Sequence, residues 1–159
     1  MNEKQSSKVE SFELDHTRVK APFVRKCSVL TGDKGDKVTK FDLRFTQPNV
    51  SEMQSEGIHT LEHLLATYLR EGDEEFASRI IDISPMGCRT GYYMTVWGEW
   101  EPGVIADKVS RALELVCSAA DVPAVNEIQC GNYRLHSLEL AKKYAADVLE
   151  KGLSDEYMI

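Results

Sequence analysis

The stretch VTKFDLRF, residues 38–45, alternates apolar and polar side chains. Successive side chains of an extended chain point to opposite sides. Phe41, Leu43 and Phe45 therefore share one face, and Lys40, Asp42 and Arg44 the other. That period predicts a half-buried strand with one face on a core and one in water. On this reading Arg44 is a solvated charge. Gln47 and Pro48 end the run. GDKGDK (32–37), just ahead of it, reads as a turn by its glycines and charges. Further upstream, FELDHTRV (12–19) and FVRKCSVL (23–30) are short and partly alternating, and are expected to be extended.

Downstream, SRIIDIS (78–84) reads as a strand stopped by Pro85. GYYMTVWGEW (91–100) reads as another, rich in aromatic and β-branched residues. Three segments have helical character. Residues 58–70 are closed by Glu71-Gly72-Asp73. A second helix starts at Pro102 and runs to about residue 120, with Val109, Leu113 and Val116 on one side. A third runs over about 135–149 and ends at Gly152. NEIQCGN (126–132) is a short strand or a turn. Strands and helices are mixed, without the regular alternation of a doubly wound parallel sheet. The expected class is α+β, with helices packed on one antiparallel β-sheet. Residues 1–8 read as a loose polar tail and residues 9–159 as a single domain.

The chain has 159 residues, enough for a substantial core, and a formal net charge of −7, which favours neither nucleic acid nor an anionic membrane surface. No stretch approaches the roughly 18 apolar residues of a membrane span. The opening MNEKQSSKVE has no apolar signal region. Cys27, Cys88, Cys117 and Cys130 show no CxxC or framework spacing. Free thiols in a reducing cytoplasm are the expectation.

Within the first helix, HTLEHLLA (59–66) carries two histidines four residues apart with a glutamate before the second. On a helical wheel Ile58, Leu61, Leu64, Leu65, Tyr68 and Leu69 share a broad arc. His59, Glu62 and His63 fall on a separate one. An i, i+4 histidine pair can present both imidazoles to one ion. Glu62 is one step round, within reach of a metal-bound water or a substrate. This is HxxEH, the inverse of the HExxH zincin signature. By spacing alone it suits a metallopeptidase as well as any other metal enzyme.

Two histidines do not complete a catalytic site, which usually has three protein ligands and an open position. Cys130 is the preferred third candidate, with Gly131 allowing close backbone approach. A small buried hydrophobe is the alternative reading of this cysteine. His136 is a rival, ranked lower because RLHSLELAKK (134–143) puts it on a polar helix face. Cys88 lies in the loop SPMGCRTG (84–91), where neighbouring Arg89 could favour the reactive thiolate, and an ordinary loop cysteine is the alternative reading, slightly preferred on the residues alone. Cys27 and Cys117 read as packing residues.

Taken together, VESFELDH, APFVR, KFDLRF, HTLEHLLA, DISPMGC, TGYYM, NEIQCG and LHSLE occur in that order along the chain. A sequence with these motifs resembles the S-ribosylhomocysteine lyase family, whose members make the precursor of the quorum-sensing signal autoinducer-2. The resemblance implies His59, His63 and Cys130 as ligands of one divalent metal per subunit. Ferrous iron would be native, replaceable by zinc or cobalt. It implies Glu62 and Cys88 as the acid/base pair, and Ser11, His16 and Arg44 as contacts to the ribose or homocysteine part of the substrate. It also implies a cytoplasmic homodimer with active sites at the subunit interface, and a reaction that moves the sugar carbonyl from C1 to C3 and then eliminates homocysteine. The departures from the family pattern lie in the N-terminal tail, around residues 70–78 and at the C-terminus.

Overall fold

The computed structural model describes residues 6–159. Of the expected polar tail, residues 1–5 lie outside the described residues, and residues 6–8 form neither helix nor strand. The expected α+β class is observed. Four strands, β1 (Phe23–Thr31), β2 (Lys37–Arg44), β3 (Ile80–Pro85) and β4 (Gly91–Trp97), form one sheet in the order β1-β2-β4-β3, with every neighbouring pair antiparallel. The turn read at residues 32–37 joins β1 to β2 as a hairpin.

Three long helices, α2 (Ser55–Tyr68), α4 (Pro102–Cys117) and α5 (Leu138–Lys151), pack on one another, and α2 and α4 also reach the sheet. The apolar face of β2 meets them as its alternation requires. Phe41 pairs across strands with Met94 and Leu43 with Tyr92, and all four are fully buried. They share one core with Leu61, Leu64 and Leu65 of α2 and Val109, Leu113 and Val116 of α4. Each such side chain contributes about 1.5–3 kcal/mol on burial. Two glycines permit the close approaches. A Cβ on Gly91 would lie 2.1 Å from the Leu43 carbonyl oxygen on the neighbouring strand, and one on Gly57 would lie 2.5 Å from the Tyr144 ring of α5.

The structure departs from the sequence reading in three places. FELDHTRV is not extended: a short helix, α1 (Glu10–Glu13), takes its first residues. A helix was not expected before β3, yet α3 (Glu74–Arg79) stands there. The Asp73 carboxylate accepts from the Phe76 amide and caps it, so the residues that stop α2 also start α3.

The third departure concerns the supposedly wet face of β2. Asp42 is 0% exposed and Arg44 2%. Arg25 on β1 stands opposite Asp42 and bonds its carboxylate at 3.3 Å, while Glu10 of α1 pairs with Arg25 from above. Arg44 grips Asp42 through Nε (3.0 Å) and Nη2 (2.7 Å). The alternation is real, but the far face is covered by a network of two cations and two carboxylates. Charges this deep persist only when paired, since each unpaired one costs several kcal/mol. Burial alone would lower the Arg44 guanidinium, and Asp42 more than reverses that, holding it above its usual value.

Candidate metal centre and thiol pocket

His59 and His63 sit one turn apart on α2, with Leu61 between them and Leu64 and Leu65 beyond them in the core. Each ring is held by a backbone carbonyl from the segment that joins α4 to α5. His59 Nδ1 donates to Leu135 O at 2.6 Å, and His63 Nδ1 to Pro123 O at 2.8 Å. A carbonyl oxygen can only accept, so both neutral rings carry the proton on Nδ1. Their Nε2 lone pairs are left free, the state in which a histidine ligates metal.

Cys130 comes from the same segment. NEIQCGN is a turn, not a strand: the Asn126 side chain accepts from the Ile128 and Gln129 amides, and the Asn126 carbonyl accepts from Cys130 N. Gly131 faces open space, with no atom of this chain near the position of a Cβ. The Cys130 Sγ lies 3.5 Å from His59 Nε2. Ligands at about 2.0–2.1 Å (nitrogen) and 2.3 Å (sulfur) around a tetrahedral ion stand about 3.5 Å apart. The donor set therefore fits a first-row divalent metal on both chemistry and spacing.

His136 was ranked too low by the sequence. It is not on a helix face: α5 begins two residues later, with Ser137 as its N-cap. Its ring instead turns back onto α2 and stacks on His59 with centroids 4.0 Å apart. The ligand atoms of His59, His63, Cys130 and His136 all lie within 4.8 Å of one another. Thr60, fully buried, accepts from Ser137 N at 2.9 Å, and its hydroxyl stands 2.8 Å from His136 Nδ1. In the tautomer that gives the hydroxyl proton an acceptor at Nδ1, neutral His136 carries its own proton on Nε2, which faces Cys130 Sγ at 3.7 Å. Burial, helped by the two neighbouring imidazoles, pushes His136 down to about 4, so neutral is its working state. Three lone pairs converge, and the fourth group is a donor.

Glu62 shares a pocket of about 490 Å³ with His59, Met86, Gly87 and Arg89. Burial raises its carboxyl above the usual range; the histidines pull it back and Asp82 adds to the rise. Cys88 is not on this side. It lines a second pocket, about 360 Å³, with His16, Arg44, Thr90 and Glu52. Residues 87 and 89 face one pocket while 88 and 90 face the other. Arg89 is engaged by Glu52 and Ser55, away from the thiol. The cation on the thiol side is instead Arg44, whose Nη1 reaches Thr90 Oγ1 at 3.1 Å. His16 Nδ1 donates to Leu14 O at 2.9 Å, which leaves its Nε2 open. Ser11 on α1 bonds the Tyr93 phenol and lines neither pocket.

This constellation has counterparts. Residues 9–158 match the family described as S-ribosylhomocysteinase (LuxS). The chain belongs to that family. The S-ribosylhomocysteine lyase of Clostridioides difficile (strain 630) is 58% identical to it, covering 92% of this chain and 95% of that one. The enzyme of the same name from Clostridium perfringens (strain SM101) is 52% identical over 96% and 98%. That of Pediococcus pentosaceus is 49% identical over 94% and 95%. Membership bears out the resemblance read from the motifs. Thr60, Thr90 and His136 are the polar residues at these sites that the sequence reading passed over or ranked low. The first two lie within the motifs HTLEHLLA and TGYYM, but nothing in their spacing or chemistry distinguishes them from ordinary threonines on a helix and after a loop.

Proposed function

We propose that this chain is a metal-dependent S-ribosylhomocysteine lyase, releasing homocysteine and 4,5-dihydroxy-2,3-pentanedione, the autoinducer-2 precursor. The observation that carries this is the convergence of His59 Nε2, His63 Nε2 and Cys130 Sγ beside Glu62, in a chain matching the family from residue 9 to 158. Residues 9–159 act as one catalytic domain. His59, His63 and Cys130 hold one divalent ion, ferrous iron in the native state with zinc or cobalt as substitutes. When bound, the ion acts as a Lewis acid that polarises a sugar carbonyl.

The C5–S bond of the substrate is not activated until a carbonyl reaches C3 and makes the C4 proton acidic. Protons must therefore leave one carbon and return to its neighbour twice before elimination. Cys88 is the carbon-proton shuttle, and Glu62, with its raised carboxyl, exchanges protons with the sugar hydroxyls. Ser11, His16 and Arg44 orient the substrate. Open Nε2 of His16 and the second proton of Arg44 Nη1 suit this task.

In one chain Cys88 and the ligand cluster line different pockets. The active site is accordingly built at a homodimer interface, the thiol of one subunit meeting the ligand cluster of the other. Exposed apolar side chains flank both parts and support this: Phe12 beside Ser11, Val50 on the rim of the thiol pocket, and Ile128 two residues before Cys130. The enzyme works in the cytoplasm; among the described residues no helix is long and apolar enough to cross a membrane. The test is homocysteine release from S-ribosylhomocysteine by anaerobically purified protein, with metal measured on the same sample. Loaded protein that releases no thiol refutes the assignment.

A further inference from the structure

Cys88 has a hydrogen-bond partner to which the family resemblance assigned no role. Its Sγ lies 3.0 Å from Thr90 Oγ1, and Thr90 is itself buried. The same hydroxyl is 3.1 Å from Arg44 Nη1. Two further donors of Arg44, one on Nε and one on Nη2, go to Asp42.

The chemistry of the three groups fixes the direction of the chain once the sulfur is a thiolate. A guanidinium has no acceptor, so Arg44 donates and the Thr90 oxygen accepts. Thr90 keeps one proton and one further lone pair, and the sulfur is the other group in its reach. A thiol there can donate to the hydroxyl or accept from it, whereas a thiolate can only accept, so the O–H then points at Cys88 in a charge-assisted bond. The backbone holds the hydroxyl in place, since the Thr90 carbonyl accepts from both Phe45 N (2.9 Å) and Thr46 N (3.0 Å). Direct Coulomb attraction from Arg44 is weakened by its pairing with Asp42. The hydroxyl gives the buried cation a hydrogen-bonded route to the sulfur beside the direct attraction between the two.

We infer that Thr90 is a positioning residue for the proton shuttle: its hydroxyl, polarised by Arg44, holds and stabilises Cys88 as the thiolate. This rests on the reading of Cys88 as the shuttle. Cys27 provides an internal control, because burial pushes its thiol up to about 12 and it is expected to resist alkylation at neutral pH.

The test is iodoacetamide alkylation of the full-length holoenzyme across pH, with Cys88 followed by peptide mass spectrometry. Thr90→Val keeps the shape and removes the hydroxyl. Cys88 alkylation near neutral pH is expected to fall roughly tenfold, as for loss of a hydrogen bond to a charged group, with the pH profile moving upward. Thr90→Ser is expected to restore both. Thr90→Ala, smaller and free of any packing clash, should behave as the valine variant and replaces it if valine does not fold. Unchanged alkylation profiles in the variants lacking the hydroxyl overturn the inference, as does failure of serine to rescue. Activity is measured in parallel: full thiol release by Cys88→Ala would refute the shuttle itself, leaving the alkylation result to judge the hydrogen-bond chain alone.

Discussion

The two chemical ends of the molecule are held by different forces. At the metal end neutral groups do the positioning: backbone carbonyls of Leu135 and Pro123 fix two imidazoles, and the Thr60 hydroxyl fixes a third. At the thiol end three buried charges, Arg25, Asp42 and Arg44, with the partly exposed Glu10 over them, support a single hydroxyl and the thiol beyond it. A metal site assembled from carbonyls can keep its lone pairs ready with the ion absent, because nothing in it requires compensating charge. The thiol end keeps a cation out of water beside a nucleophile, and so depends on every partner of that cation. The first arrangement resists single substitutions outside the ligands; the second does not.

The largest contrast is expected from breaking each end in turn. Cys130→Ala should lose the metal and thiol release together. Cys88→Ala should keep the metal, by elemental analysis, while release falls about 10²–10⁴-fold, the usual contribution of a positioned acid/base group. Refolding the two inactive variants as a mixture should restore roughly a quarter of wild-type activity, because half the dimers then carry one intact composite site. No recovery would mean that both ends act within one subunit.

A smaller effect separates the supports. Asp42→Asn leaves two buried guanidinium groups with less counter-charge, and is expected to lower stability by about 3–5 kcal/mol, seen as a shift in the denaturant midpoint. A shift below about 1 kcal/mol would show that water reaches the network and that Arg44 is not dependent on it.

The smallest effect concerns His136. If it donates to the Cys130 sulfur and does not ligate, His136→Ala should still bind metal stoichiometrically, with affinity lowered about 10–100-fold, as is usual for groups behind a ligand. The thiolate-to-cobalt absorption of the Co(II) form should shift while the coordination number stays the same. Loss of metal as complete as in His59→Ala would make His136 a fourth ligand and close the site.

The sequence by itself determined the α+β class, the sheet's strands, the three long helices and the placement of His59, Glu62 and His63 on one arc of α2. Those follow from periods of two and 3.6 residues, which depend on local backbone geometry. It also carried the family, because eight motifs in fixed order do not recur by chance. Only the tertiary structure decided that Arg44 is buried, that His136 faces the sulfur, and that Cys88 and Glu62 line separate pockets. Each depends on a partner distant in the chain: Glu10 and Arg25 over Asp42, Thr60 against His136 seventy-six positions away, and Thr90 folded under Arg44. A polar residue on an alternating strand reads as wet until something covers it, and what covers it is not encoded in the strand.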